Sequence, residues 1–155
     1  MPSDREPSCA VRGRWDAGGG VRINGRQFRV DAGGPTPPAS PTSDVARPSA
    51  LELLVSALVA DMLVGLGREA MRAGVTIHDA EMAVSAYLDN PLVALGVVGE
   101  AGTAVVASIR GSLYVSSDAD AAALASLWNR ALERAPVHAT LRRCVDLSIE
   151  LKPVT

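Results

Sequence analysis

The stretch from Ser49 to Ala73 constrains this chain more than any other part of it. It opens Ser49-Ala-Leu-Glu52. In that spacing the serine hydroxyl accepts an N–H of the first turn and the glutamate reaches back to the serine N–H, a capping box that starts a helix. Gly74 supplies the stop. About 24 residues at 1.5 Å each make a rod of roughly 36 Å. Leu53, Leu54, Leu58, Met62, Leu63 and Leu66 point in nearly every direction rather than along one stripe. A helix that is apolar all round is buried all round, and one small domain cannot surround such a rod. A second copy of the chain is therefore expected to help cover it.

The rest of the chain is read around this helix. Before it, Val21-Arg-Ile-Asn-Gly-Arg-Gln-Phe-Arg-Val30 places Asn24-Gly25 between two short apolar runs, a hairpin signal with the tight turn at Asn24-Gly25. Gly33 to Ser43 is Pro-rich and sustains neither helix nor ladder. After Gly74 the period changes to two: Ala80, Met82, Val84, Ala86 and Leu88 alternate with Glu81, Ala83, Ser85 and Tyr87. Thr103 to Ser116 reads as a second strand, with Gly111 marking a bulge. Ser117 is expected to cap a helix carrying Asp118 and Asp120 in its first turn, with Leu124, Leu127, Trp128, Ala131, Leu132 and Ala135 on one face. Pro136 breaks it, and Val145, Leu147, Ile149 and Leu151 form a last alternating strand. The order βββ–α–ββ–α–β is an α+β fold. Residues 1–10 are expected to be a flexible N-terminus and 11–155 a single domain.

Composition removes several functions. With 155 residues the chain has room for a core of ordinary size. Fifteen basic against seventeen acidic residues, net −2, lack the electrostatic footprint of a nucleic-acid binder. Two cysteines make neither a disulfide scaffold nor a four-ligand zinc site, so neither a metal nor another cofactor is expected. The most apolar run, Leu51 to Leu66, is interrupted by Glu52 and Asp61 and falls short of about 18 unbroken apolar residues. No secretory h-region precedes it. A cytoplasmic protein without a membrane partner is the expectation.

Two segments carry a family resemblance. Arg47-Pro-Ser-Ala-Leu-Glu-Leu-Leu-Val-Ser-Ala-Leu-Val-Ala-Asp61 is similar to the run that ends in a reactive cysteine in the OsmC/Ohr family, the osmotically inducible and organic-hydroperoxide-resistance proteins. Ala135-Pro-Val-His-Ala-Thr-Leu141 resembles that family's Cys-Pro-Val-His-x-Thr-Leu. The resemblance implies an intertwined homodimer, with sheets wrapped around paired central helices and sites at the subunit interface. It also implies reduction of organic hydroperoxides in oxidative-stress defence, by a thiolate on the central helix and a second, resolving cysteine. The first of these positions is Asp61 here and the second is Ala135. A carboxylate forms no sulfenic acid, and alanine offers no resolving sulfur. The family's supporting glutamate would fall at Leu51; Glu52, one place on, is a cap and a pocket candidate. Arg12, Arg14, Arg22, Arg26 and Arg29 are all candidates for the family's supporting arginine.

Asp61, with His138 and Glu52, is thus the candidate site, and Asp61 must be paired, hydrated or protonated. It is either a structural carboxylate or one that meets a ligand. His138 is local scaffold or a polar partner for Asp61; His78 reads as a surface residue. The leading expectation is a degenerate OsmC-like homodimer that has lost thiol peroxidase chemistry and keeps an apolar pocket for a small molecule. One alternative is a hydroperoxide reductase with a thiol relocated to Cys144, beside Arg142 and Arg143. Another is an acid–base enzyme using Asp61, and a third is an interaction protein without a ligand. Cys9, in the N-terminal segment, has no expected role.

Overall fold

The computed structural model describes residues 9–15, 20–33 and 47–154. The expected flexible N-terminus therefore falls, apart from its last two residues, outside the described residues, as does nearly all of the Pro-rich stretch. The chain forms two compact units, Met1–Leu53 and Leu54–Thr155.

In the first unit, β1 (Arg12–Trp15), β2 (Gly20–Asn24) and β3 (Arg29–Gly33) make an antiparallel sheet in that order. The register pairs Trp15 with Val21, Val21 with Ala32 and Ile23 with Val30, so one face is apolar. The other face pairs Arg14 with Arg22 and Arg22 with Asp31. The hairpin forms where Asn24-Gly25 predicted it, but not as a tight turn at that dipeptide. Asn24 still pairs with Arg29, and the Gly25 N–H donates to the Phe28 carbonyl at 3.0 Å across the loop 25–28. The Phe28 ring folds back over Gly25, where a Cβ would stand 2.1 Å from it and the exposed ring would have to swing aside. The capping box is present as read, with the Ser49 N–H donating to Glu52 at 2.6 Å and the Glu52 N–H donating to Ser49 Oγ at 3.2 Å.

The helix so begun, α1, runs Ala50–Ala73, and Gly74 ends it at φ +68°. In the second unit its stripe Leu58, Met62 and Leu66 packs on a sheet and a helix. The sheet has the order β4 (Ile77–Leu88), β5 (Val106–Ser117), β6 (Asp146–Pro153), β4–β5 antiparallel and β5–β6 parallel. The helix is α3 (Ala121–Glu133), and Ile109, Leu113, Val115, Leu124, Leu127, Trp128 and Ala131 complete the core. Two short helices refine the expected order: α2 (Pro91–Ala94) in the β4–β5 connection and α4 (Pro136–Leu141) between α3 and β6.

Four local readings are corrected. Gly111 marks no bulge: it pairs in register with Val84, and the irregularities lie at Ile77/Asp79 and Tyr87/Leu88. The glycine is there for closeness, since an added Cβ would lie 2.4 Å from the Ala83 carbonyl oxygen. The cap of α3 is Asp120, whose carboxylate accepts the Ala123 N–H at 2.7 Å, not Ser117. Asp118 is not a first-turn residue but pairs with His78 at 2.7 Å. Pro136 ends no helix: α3 stops at Glu133, and Pro136 takes the first helical position of α4, where its missing N–H costs nothing.

Within the single chain, helix α1 is not surrounded on all sides. One stripe is buried, while Val64 is 51% and Met71 82% exposed. By length and composition α1 passes for a membrane span, with a mean hydropathy of 1.9 over its most apolar window and only 17% of that window buried within the chain. The two interrupting carboxylates that suggested otherwise do not change this arithmetic. Asp61 instead accepts the Val137 and His138 amides of a neighbouring helix, and Glu52 is taken up by the capping box at the start of α1.

Candidate functional site

Helix α4 has a local deficit at its start. Its N-cap is Ala135, which has no side chain able to accept a hydrogen bond, and Pro136 follows it. The next N–H groups, of Val137 and His138, are orphan donors of a helix N-terminus. Asp61 satisfies both. Its Oδ2 accepts the Val137 N–H at 2.9 Å and the His138 N–H at 3.2 Å. A carboxylate on α1 thus caps α4 from a distant part of the chain, and its negative charge suits the positive end of the short helix. Asp61 is half-buried, and its second oxygen takes no hydrogen bond among the described residues.

The His138 side chain does not meet Asp61 as sequence reasoning had offered; the backbone of that residue does. The ring is buried, at 6% exposure, and its Nδ1 has no hydrogen-bond partner. Burial pushes the imidazole pKa below the ordinary 6.5. The hydrogen bond to the Leu132 backbone works against that shift, the Arg142 charge adds to it, and the Asp61 charge opposes it.

A second carboxylate on α1, Glu69, was missed by sequence reasoning. It is only 4% exposed and gathers three arginines: Arg72 and Arg134 each at 2.5 Å from Oε1, and Arg130 at 3.5 Å from Oε2. Burial raises its pKa, but the hydrogen bonds and charges of Arg72 and Arg134 outweigh this and hold it below the ordinary carboxylate value. The signal was in the spacing, because Glu69 continues the stripe Leu58–Met62–Leu66 at i+3. The three arginines sit in the last turns or at the ends of α1 and α3, where helix dipoles favour cations. Arg134 is the C-cap of α3 and precedes Ala135. Helix α1 therefore holds the α3–α4 corner at two points, Glu69 to Arg134 and Asp61 to the α4 amides.

Beside this corner lies an open apolar depression of about 350 Å³ lined by Leu54, Pro136, Val137, Thr140 and Leu141. Leu54 precedes Asp61 by seven residues, two helical turns, and so shares its face of α1. Val137 joins the two features: it lines the depression, and its N–H donates to Asp61.

The remaining candidates lie elsewhere. The Glu52 carboxylate is occupied in the capping box. Cys144 is exposed and its Sγ–H points to the Leu141 carbonyl at 3.4 Å; Cys9 is exposed and free. Of the N-terminal arginines, Arg22 and Arg29 pair with Asp31 at 3.1 and 3.5 Å. No cluster of three His, Cys, Asp or Glu able to hold a metal occurs among the described residues.

A three-stranded sheet backed by a long central helix, and a short Pro-initiated helix whose first amides face that central helix, define an α+β architecture of OsmC type. The sequence pattern of the OsmC-like protein family matches residues 42–150, and the chain belongs to that family. A search of curated proteins found no match. Among solved structures, an OsmC-like protein from Mycoplasma pneumoniae is similar with a TM-score of 0.74 at 18% identity, over 99% of this chain and 100% of that one. The organic hydroperoxide resistance protein OhrB of Bacillus subtilis is similar with a TM-score of 0.58 at 20% identity, over 94% and 98%. An organic hydroperoxide resistance protein OsmC from Legionella pneumophila gives 0.60 at 12%, over 96% and 99%. At these identities the likeness is one of fold.

Proposed function

We propose that this chain is a cytoplasmic OsmC-family homodimer that has lost thiol peroxidase chemistry and binds a small apolar molecule beside Asp61. One observation carries the reading. The position that the family resemblance gives to a reactive thiol is a carboxylate engaged as the cap of α4, while the adjoining wall of Leu54, Pro136, Val137 and Leu141 remains apolar. Ala135, at the resolving position, is buried and carries no sulfur. The family's hydroperoxide-resistance proteins suggest a stress-related ligand, and loss of the thiol turns a site of turnover into one of binding. The exposed apolar side of α1 supports the dimer.

The test is an assay of the purified protein with an organic hydroperoxide and a dithiol reductant, beside Cys9→Ala/Cys144→Ala and Cys144→Ala variants. No turnover above the protein-free rate is expected from any of the three. Turnover that survives the double substitution would overturn the loss of peroxidase chemistry. Turnover abolished by Cys144→Ala alone would assign the reaction to a relocated thiol.

A further inference from the structure

We infer that the ligand of this depression carries a protonated amine, its apolar body lying on Leu54, Val137 and Leu141 and its ammonium group on the second oxygen of Asp61. The inference rests on the pocket reading above and adds the chemistry of the head group. A carboxylate offers about four lone-pair positions. The Val137 and His138 amides occupy Oδ2 alone, and Oδ1 takes no hydrogen bond among the described residues. That oxygen is not closed off from solvent, so a ligand can reach it. A ligand reaching it must bring donors, and an ammonium group brings three donors and the opposite charge, forming a charge-assisted hydrogen bond. An anionic head would meet a like charge there, and an alcohol would bring one donor and no charge.

The dimensions agree. Leu54 and Asp61 are two turns apart on one face, a separation of about 10.5 Å along the helix axis. An extended chain of about eight carbons with a terminal amine spans that distance, and the walls of the depression offer an apolar lining. The two α4 amides keep the carboxylate from turning away, so the acceptor is held in place before a ligand arrives.

Isothermal titration calorimetry of the full chain at pH 7 with octylamine, 1-octanol and octanoate, each below its aggregation concentration, tests this. Octylamine is expected to bind about tenfold or more tighter than octanol, as one charge-assisted hydrogen bond would give, with octanoate the weakest. Asp61→Asn keeps an oxygen for the Val137 and His138 amides but removes the charge, and it should bring octylamine to within about threefold of octanol. Octanol or octanoate binding as tightly as octylamine would overturn the proposal. So would an amine preference that survives Asp61→Asn, which would mark non-specific attraction to an acidic chain. If none of the three binds, the apolar-pocket reading fails and the head-group assignment falls with it. If octanol binds but the amine gains nothing, the head-group assignment alone fails.

Discussion

Two backbone donors on one carboxylate oxygen give Asp61 a role that its neighbours cannot take over, since Ala135 and Pro136 offer no substitute cap. Asp61→Ala should therefore lower stability by about 1–2 kcal/mol, the usual effect of removing a capping side chain. Asp61→Asn should lie within a few tenths of the wild type, because asparagine is as good a cap. Urea unfolding of the three proteins measures the difference. The sequence singled out position 61 by resemblance and by the oddity of a carboxylate among apolar residues. It did not show what the carboxylate held, because the groups it holds are main-chain amides, which every sequence has and none advertises. His138 titrates at this scale too. With a folded-state pKa below the ordinary 6.5, the unfolded chain takes up the proton first. Its contribution to stability is thus intact above about pH 6.5 and erodes as the pH falls below that value. Thermal midpoints between pH 7.5 and 5 should fall less in His138→Leu than in the wild type, since leucine has nothing to protonate.

Among the elements, those with long regular patterns were legible and those built by exception were not. Helix α1 runs within a residue of the boundaries that its capping box and Gly74 implied, and β4 and β6 follow their period-two alternation. Helix α4 was invisible because a six-residue helix has no periodicity to detect, and a proline at its start reads as a breaker when taken alone. Asp120 won over Ser117 as the cap of α3 because Asp118 is drawn away by His78 and β5 extends through Ser117. Gly111 also needs three dimensions. A bulge glycine tolerates alanine where its φ allows, but this one faces the Ala83 carbonyl at 2.4 Å from a built Cβ, with Ile149 and Val84 side chains at 3.0 Å. Gly111→Ala should force the β4 and β5 backbones apart and lower stability by about 1–3 kcal/mol, as overpacking does. A shift of the denaturation midpoint at unchanged m-value would confirm it.

At the scale of the molecule, the fold class was readable because two separated motifs and the order of elements agreed, and the family match over residues 42–150 bears it out. The assembly was argued from α1, and the argument has a measurable outcome. A helix with Val64 and Met71 exposed has apolar surface that a second copy would cover. Light scattering after size-exclusion chromatography should give twice the 16.0 kDa of the chain, and Val64→Arg should shift the population toward monomer. A folded wild-type monomer would show that α1 tolerates water on that side.

The cap of α4 has a consequence in time as well as in space. Asp61 reaches Val137 across 76 positions of sequence, so α4 cannot be closed by any neighbour in the chain. Six residues are far below the length at which an isolated helix persists in water, and α4 should exist only while α1 is docked beside it. The amide hydrogens of Val137 and His138 are thereby a built-in clock: their exchange with solvent deuterium reports each parting of α1 from the α3–α4 corner, without a probe added to the protein.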